Sequence, residues 1–453
     1  MAFKHENWSS KSIFLLAAIG AAVGLGNIWR FPYMAGTNGG GAFVLIYLIA
    51  VVAIAIPVLI AETMIGKNGQ MSPPVSMAKV AENSNTSRKW SVVGWLGVAS
   101  AFLILSFYSV IGGWVFSYIP FSVMGMFENL DSSKSSELFE NITGNPTRVI
   151  SWHTFFILLS TLIVMRGIKG GLELAVKFMM PSLFIILIFL CLFSLSQADR
   201  LGGISFLFMP NFSKITPEVI LAAIGQAFFS IGVGIGIMFT YGAYLPKNIS
   251  LPSACITIAF ADTFVAIIAG LVIFPIVFSN GLDPSAGPSL VFMTLPIAFG
   301  QMTGGEFIGV AFYLLLAFAA LTSAISLLEV PVSWLEEIPG WSRKSASLLI
   351  GFLVWLTGIS SALSTNILSD VYLLSFITKF QTYSMLDLTD YFTGQLLLPL
   401  GGMMIAIFTG WYVKDEILEY ELGKNRIFFS CWRFSIRYIC PIGIFFILAS
   451  SWI

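Results

Sequence analysis

The sequence predicts an all-α polytopic membrane protein, and three observations support that prediction. Of the 453 residues, 57% are hydrophobic and only 10% are charged, whereas about 25% of the residues in a soluble globular domain carry charge. Stretches without any charged residue, such as 90–127 and 345–369, exceed the ~20 apolar residues that a helix needs to cross a bilayer. These stretches do not alternate polar and apolar residues as the strands of a membrane β-barrel do.

Hydropathy places about eleven spans along the chain. They are centred near residues 22, 52, 105, 157, 185, 232, 266, 318, 354, 400 and 441. Most of the 23 Lys and Arg residues then lie in loops on the side of the N-terminus, so the positive-inside rule predicts a cytoplasmic N-terminus and a C-terminus outside. The first span reads as a retained helix rather than a cleaved signal peptide, because no small-residue cleavage site follows it. Outer loops are predicted at 128–149, 197–217 and 279–296.

Glycine clusters interrupt two spans near the middle of the membrane. The first span has glycines at 20, 24 and 26, and the sixth has them at 225, 232, 234 and 236. An unwound turn at this depth leaves backbone groups that need an ion or a substrate as partner. Small residues also allow close helix packing, but paired breaks five spans apart are typical of transporters built from inverted repeats. This predicts repeats at 1–197 and 198–412 and an additional peripheral helix at 413–453.

Several long motifs resemble one family, the neurotransmitter:sodium symporters. They are "AAVGLGNIWRFPY" (21–33), "NGGGAF" (38–43), "GGLELAVKFMMP" (170–181), "GQAFFSIGVGIG" (225–236) and "FAALTSAISLLEVPVSWLEE" (318–337). The resemblance covers essentially the whole chain and is closest to the bacterial amino-acid branch in its eleven-span form. It implies the LeuT-type fold, a five-plus-five inverted repeat with broken first and sixth helices. It also implies sodium symport of an amino acid by alternating access.

The resemblance implies two sodium sites made of oxygen ligands, the kind that a hard cation prefers. The first site takes Ala22, Asn27, Ser230 and Asp262. The second takes Gly20, Val23, Ala319, Thr322 and Ser323.

Asp262 stands where many relatives have Asn, and a carboxylate inside the membrane is costly unless it is paired or functional. Tyr47, Gln226 and Ser230 remain from the chloride site of chloride-dependent relatives, but Ala266 replaces a hydroxyl residue of that site. A fixed carboxylate can take the place of the anion, so we expect transport without a chloride requirement.

The substrate pocket implied by the resemblance lies at the two breaks, where helix ends present amides and carbonyls to the substrate. Its residues are Ala22, Gly24, Gly26, Ile104, Tyr108, Phe229, Ser230, Gly232, Ile235, Ser323 and Leu327. The hydroxyl of Tyr108 matches the family's ligand for the substrate carboxylate. Gly24 stands where monoamine transporters carry Asp, so the substrate is expected to bring its own carboxylate. The uncharged pocket predicts a neutral, bulky hydrophobic L-amino acid such as Trp, Tyr, Phe or Leu.

The resemblance also implies gates on both sides of this pocket. The outer gate takes Arg30, Asp390, Tyr108 and Phe229, and the inner gate takes Trp8, Tyr244 and Glu337. The family's N-terminal arginine is His5 here, with Lys4 as a possible substitute. Gly171 and Pro181 bracket the start of the fifth span, which the family pattern expects to unwind and admit water to the second sodium.

Other functions remain open on the residues alone. A proton-coupled amino-acid transporter would replace the second sodium with a basic residue, and Thr322 and Ser323 argue against it. A channel and a substrate-sensing receptor that uses the same site also remain open, whereas an enzyme is disfavoured because no His, Asp and Glu cluster occurs near one face. The expected partners are an amino acid, sodium ions and membrane lipid in a bacterial inner (plasma) membrane. No nucleic acid or obligate protein partner is expected.

Overall fold

A computed structural model describes residues 6–197, 199–246, 249–285, 287, 289–423 and 425–450. Helices make up the regular structure of this part of the chain, and no strand occurs in it. His5 and Lys4, the two candidates for the inner-gate cation, lie outside the described residues.

The first half of the chain contains a bent span, four continuous spans and three shorter helices. In chain order the helices are α1 (Lys11–Ala22), α2 (Gly26–Thr37), α3 (Gly41–Gly69), α4 (Pro73–Asn83), α5 (Arg88–Val123), α6 (Ser132–Thr143), α7 (Pro146–Val164), α8 (Ile168–Ser194) and α9 (Arg200–Phe208). Local capping sets several of the starts: Ser10 accepts from the amide of Ile13 before α1, and Asn145 accepts from the amide of Arg148 at the start of α7.

The second half repeats this plan and adds one span. Its helices are α10 (Pro217–Ile231), α11 (Ile237–Ala243), α12 (Leu251–Ser279), α13 (Leu290–Gln301), α14 (Gly305–Glu336), α15 (Arg343–Leu363), α16 (Met385–Trp411), α17 (Asp415–Leu422) and α18 (Arg426–Ser450). Thr216 caps α10 by accepting from the amide of Val219, and Pro217 fills its first turn.

These helices account for the eleven predicted spans. Within the described residues, nine helices are long and apolar enough to cross a membrane, and α1 and α2 form a tenth span bent by 49°. The eleventh consists of α10 and α11, which have 15 and 7 residues and are each too short to cross alone. Five is an odd number of crossings, so the second set of five spans enters the membrane from the opposite side and is inverted relative to the first.

The spans pack in two groups. One group contains the two broken spans with α3 and α12, and the other contains α5, α7, α14 and α15. Helix α8 packs against α1, α12 and α14, and α18 packs on the outside against α16 and α10. The breaks of the first group face α5 and α14 of the second group, whose residues Ile104, Tyr108, Ser323 and Leu327 lie beside them.

The predicted outer loops contain more helix than the sequence indicated. Loop 128–149 holds α6, loop 197–217 holds α9, and the Gly- and Pro-rich segment 279–296 runs into α13. Burial explains α13, since its face with Leu290, Val291 and Leu295 is fully buried against the neighbouring helices. The composition of a segment predicts whether it is exposed, but it does not predict that part of a loop will form a helix buried against neighbouring helices.

Candidate functional site

The two breaks line one cavity of about 60 Å³. All eleven residues predicted for the substrate pocket line it, together with Ala21, Leu25, Ile237 and Leu398. The first break contributes the backbone that follows Ala22, and the second contributes the backbone around Gly232.

The backbone conformations at the breaks explain the glycines. Three glycines of the second break have positive φ angles, +67° at Gly232, +88° at Gly234 and +82° at Gly236, a region that L side chains rarely adopt. A Cβ on Gly234 would also lie 2.6 Å from the carbonyl oxygen of Leu398. In the first break, a Cβ on Gly24 would lie 2.5 Å from Oγ of Ser323. These positions therefore need glycine for conformation and for space.

A buried carboxylate stabilises the second break. Glu62, on α3, accepts hydrogen bonds from the amide of Gly234 at 2.7 Å and from the amide of Met238 at 3.2 Å. Both amides belong to the break or to the first turn of α11, where no preceding helical carbonyl is available. Sequence reasoning missed this residue, although a Glu within an otherwise apolar span was a usable signal.

The residues predicted for the first sodium site converge beside the cavity. Nδ2 of Asn27 donates to Oγ of Ser230 at 3.0 Å and to Oδ1 of Asp262 at 2.7 Å. Ser230 in turn donates to Oδ2 of Asp262 at 2.8 Å. Asn27 and Asp262 are fully buried and Ser230 is 2% exposed, while Ala22 lines the adjoining cavity. The hydroxyl of Ser230 and the carboxylate of Asp262 thus lie together in a buried place, where Nδ2 of Asn27 bonds to both, while Oδ1 of Asn27 accepts from the amide of Gly24 at 3.0 Å.

Residues corresponding to an anion site surround the same carboxylate. The hydroxyl of Tyr47 lies 3.4 Å from Oγ of Ser230. Gln226 donates from Nε2 to the carbonyl of Gly26 at 2.9 Å, and its buried Oε1 has no hydrogen-bond partner among the described residues. The only formal negative charge in this cluster is therefore that of Asp262.

The residues predicted for the second sodium site meet where the first break touches α14. Oγ of Ser323 lies 3.4 Å from the carbonyl oxygen of Val23, and Oγ1 of Thr322 lies 3.1 Å from that of Ala319. A Cβ on Gly20 would lie 3.3 Å from Cβ of Thr322 and 2.9 Å from Sδ of Met180 on α8. Helix α8 thus packs directly against this group of oxygens.

The cavity walls are apolar apart from a few groups. Ile104, Ile235 and Leu327 are buried hydrophobic residues that line the cavity with the ring of Phe229. Tyr108 is 8% exposed, and its hydroxyl forms no hydrogen bond of good geometry with the described residues. A buried hydroxyl without a partner is costly in a free protein and is available to a bound ligand.

At one end of the cavity, here called the Arg30 end, the guanidinium of Arg30 lies 4.1 Å from the ring centroid of Phe229. Cation–π contacts of this length are attractive. Asp390, on α16, is solvent-exposed, and its side chain forms no ion pair with Arg30 within 4.0 Å. The predicted outer pair is therefore not in direct contact in this structure.

The opposite end, here called the Trp8 end, is closed by buried aromatic residues. Trp8 is 2% exposed; its Nε1 donates to the carbonyl of Tyr241 at 3.1 Å, and its backbone amide donates to the carbonyl of Tyr244 at 3.1 Å. The rings of Trp8 and Tyr241 meet edge to face at 5.0 Å. Trp8 and Tyr244, both predicted for the inner gate, are thus in direct contact.

The third predicted inner-gate residue has a different partner. Glu337 accepts hydrogen bonds from the amide and the hydroxyl of Ser72, at the start of α4. The hydroxyl of Tyr244 instead donates to Glu329 at 2.6 Å, and Arg343 forms an ion pair with that same carboxylate. Sequence reasoning missed Glu329 and Arg343, since nothing in the linear sequence brings α11, α14 and α15 together.

The predicted unwinding of the fifth span is not seen in this conformation. Helix α8 begins with a π-helical turn, Ile168–Leu172, and continues as α-helix through Pro181. Gly171 packs so closely on α7 that a Cβ would lie 2.0 Å from the carbonyl oxygen of Ile163. The start of α8 is therefore wound while the Trp8 end is closed.

Comparisons with known proteins agree with this architecture. The model of the sodium:neurotransmitter symporter family matches residues 5–141 and 140–453. The uncharacterized sodium-dependent transporter YhdH of Bacillus subtilis is 39% identical over 97% of this chain and 96% of its own length. An uncharacterized sodium-dependent transporter of Haemophilus influenzae is 34% identical over 99% of this chain and 98% of its own.

A solved structure has the same fold. The crystal structure of MhsT in complex with L-phenylalanine superposes with a TM-score of 0.89 at 41% identity, covering 99% of this chain and 100% of that one. The predicted LeuT-type fold is confirmed by this match. Together with the family match and the membrane-spanning helices, it identifies a multi-pass membrane transporter rather than an enzyme. The chain belongs to the sodium:neurotransmitter symporter family.

Proposed function

We propose that the protein is a symporter that couples inward movement of sodium to uptake of a neutral, bulky hydrophobic L-amino acid, without requiring chloride. The observation that supports this most directly is the single cavity at the two breaks, with a buried oxygen cluster beside it. One cavity that adjoins both sets of predicted sodium ligands allows substrate and ions to stabilise the same conformation.

The backbone of the breaks suits the amino and carboxylate groups of an α-amino acid. Free amides and carbonyls at broken helix ends carry partial charges of opposite sign. Gly24 brings no side-chain carboxylate to the cavity, and the hydroxyl of Tyr108, which forms no hydrogen bond of good geometry with the described residues, is a donor for a substrate carboxylate. A substrate with its own carboxylate satisfies these groups.

The walls suit an apolar side chain. Ile104, Phe229, Ile235 and Leu327 contribute hydrocarbon or aromatic surface, and a charged substrate side chain would lose its hydration without gaining a partner. Gly232 adds no side chain to the cavity wall beside Ile235. The relative of known structure was crystallised with L-phenylalanine, which is of the same chemical class.

The oxygen clusters provide the basis for coupling. The carboxylate of Asp262 offsets the charge of a sodium ion bound with Asn27 and Ser230, so a separate anion is not needed there. A second ion at Thr322 and Ser323 would hold the first break against α14. Because each ion stabilises the arrangement that the substrate also needs, binding of ion and substrate is mutually favourable.

Access alternates between the two ends of the cavity. The Trp8 end is the cytoplasmic side according to the distribution of basic residues, and it is closed by Trp8 and by the Tyr244–Glu329 contact. The Arg30 end faces outward, with Asp390 still separated from Arg30. Opening and closing these two ends in turn carries the substrate across.

Uptake into proteoliposomes tests the proposal. Labelled phenylalanine, leucine and tryptophan are supplied outside, with an inward sodium gradient or with potassium replacing sodium, and with chloride or gluconate as the anion. We expect concentrative uptake that needs sodium and is equal in the two anions, whereas alanine and lysine accumulate weakly. Uptake driven by a proton gradient without sodium would contradict the coupling, and sodium-driven uptake of lysine alone would contradict the pocket.

A further inference from the structure

A groove of about 260 Å³ lies between α7 and the first turns of α8. It shares no lining residue with the cavity at the breaks. Along α8 its lining residues recur on one helix face, at 170–171, 174–175 and 178–179. Leu174 and Phe178 on this face are 60% and 66% exposed. Apolar side chains that are exposed on a membrane-spanning helix face lipid, so the groove opens toward the acyl chains of the bilayer.

A glycine leaves part of this groove empty. Gly171 is needed for packing, because a Cβ on it would lie 2.0 Å from the carbonyl oxygen of Ile163. Gly170 also lines the groove, but a Cβ on it would meet no atom within 4 Å, and its φ is not positive. Neither packing nor backbone conformation therefore requires glycine at position 170. The space beside it is available to a ligand.

Two cations stand at the end of the groove near Glu6. Arg166, just after α7, lines the groove, and Lys169 precedes Gly170; both are exposed. Neither side chain forms an ion pair within 4.0 Å with the described residues. The carboxylate of Glu6 instead accepts from the backbone amides of Ile168 and Lys169, at 3.1 and 3.2 Å. The groove thus joins an apolar surface to two basic side chains without a carboxylate partner.

Other charged residues close to this end are already paired. Glu173, which is 2% exposed, lies 3.6 Å from Nζ of Lys177. Arg343, at the start of α15, forms an ion pair with Glu329. Pairing within the protein therefore accounts for these neighbours, but it does not account for the two cations beside the groove.

We propose that the groove binds one anionic phospholipid, with an acyl chain along α8 beside Leu174 and Phe178 and the phosphate at Arg166 and Lys169. The distribution of basic residues predicts that this end is cytoplasmic, and basic pockets between spans on that side bind the head groups of anionic lipids. A ligand with both a hydrocarbon chain and a negative charge matches both parts of the groove. A soluble anion would match the cations alone.

Native mass spectrometry of the full-length protein in detergent tests the proposal, with phosphatidylglycerol and phosphatidylcholine of the same acyl chains as probes. We expect the first phosphatidylglycerol to bind about twentyfold more tightly than phosphatidylcholine, the effect of two basic residues. Arg166→Gln should lower this preference about fivefold, and Arg166→Gln combined with Lys169→Gln should abolish it. Lys89→Gln, which removes an exposed basic residue outside the groove, is the matched control and should leave the preference unchanged.

A second variant tests the apolar part of the groove. Gly170→Leu fills the empty space and keeps both cations, so it should weaken phosphatidylglycerol binding about tenfold, because part of the acyl chain loses its contact. Undiminished binding by this variant would place the lipid elsewhere on the surface and contradict the proposal.

Three further results would overturn the assignment. The wild type binds the two lipids equally, or the preference survives loss of both cations, or excess inorganic phosphate displaces phosphatidylglycerol and so reveals a site for the anion alone. These measurements do not involve sodium-driven uptake, so their outcome is independent of the proposed transport function.

Discussion

The proposed independence from chloride depends on one residue, Asp262. Its carboxylate is fully buried and accepts from both Asn27 and Ser230, and we propose that its charge makes a bound chloride unnecessary. Replacing it with Asn keeps the shape and removes the charge. We expect Asp262→Asn to reduce uptake in gluconate about tenfold, the effect of losing one charged hydrogen-bonding group, and to regain activity when chloride is added.

The control for this prediction is Asp370→Asn, which removes an exposed carboxylate that does not line the cavity and should leave uptake unchanged in both anions. Initial rates of sodium-driven uptake over a chloride series are the measurement. Chloride-insensitive transport by Asp262→Asn would refute the role given to this carboxylate.

Tyr108 offers a second test at the same scale. Its hydroxyl forms no hydrogen bond of good geometry with the described residues, so Tyr108→Phe should remove little that stabilises the free protein. If the hydroxyl binds the substrate carboxylate, the Kd for the amino acid should rise about tenfold or more, with little change in the midpoint of thermal unfolding. Isothermal titration in detergent with saturating sodium measures the Kd.

Tyr118 provides the matched comparison. Its buried hydroxyl donates to the carbonyl of Phe292 at 2.7 Å, so Tyr118→Phe leaves that carbonyl without its partner. This variant should lower the unfolding midpoint and leave the Kd unchanged. If Tyr108→Phe instead lowered the unfolding midpoint and left the Kd unchanged, while Tyr118→Phe raised the Kd, the Tyr108 hydroxyl would be structural.

At the scale of elements, the second break depends on backbone that only glycine adopts easily. Gly234 has a φ of +88° and no room for a Cβ beside Leu398, whereas a Cβ on Gly225, inside α10, would contact nothing within 4 Å. We expect Gly234→Ala to abolish sodium-dependent substrate binding and to destabilise the protein by about 2 kcal/mol or more. Gly225→Ala should be neutral or slightly stabilising.

Substrate-dependent shifts of the thermal unfolding midpoint measure both effects in one experiment. If Gly234→Ala and Gly225→Ala had the same unfolding midpoint and the same substrate-dependent shift, the break would tolerate a side chain. The assignment of the second break as a binding element would then be wrong.

The elements also show what the sequence could and could not predict. The spans, the two breaks and the cavity-lining residues were predicted because each is encoded locally, by hydropathy, by glycine clusters or by motifs. Glu62 and Glu329 were missed because their roles come from tertiary contacts, with the amide of Gly234 in one case and with Tyr244 and Arg343 in the other. Such partners lie on different helices, and their pairing follows from packing that linear patterns do not report.

For the whole molecule, alternating access requires that the two ends of the cavity differ in each state. In this structure the Trp8 end is sealed by side chains that are almost fully buried, whereas Asp390 at the Arg30 end is exposed and separated from its predicted partner. The state described is therefore closed on the Trp8 side. Its wound α8 agrees with that assignment, because the predicted unwinding belongs to the opposite state.

Removing Trp8 should favour the conformation in which the Trp8 end of the cavity is open. Trp8→Ala deletes the ring that packs on Tyr241 and Tyr244, and the buried surface lost is worth about 3 kcal/mol or more, enough to change the ratio of two conformations more than tenfold. Ser326, which is 1% exposed and hydrogen-bonded to the hydroxyl of Tyr241, reports on access at this end. In a protein carrying Ser326→Cys and Cys431→Ser, we expect Trp8→Ala to raise the rate of maleimide labelling about tenfold.

Trp341→Ala, which removes a partly exposed tryptophan from the loop before α15, should leave the rate unchanged. Slow labelling in both variants would show that Trp8 does not hold this end of the cavity closed, and the gate would then have to be sought in the ion pair between Glu329 and Arg343.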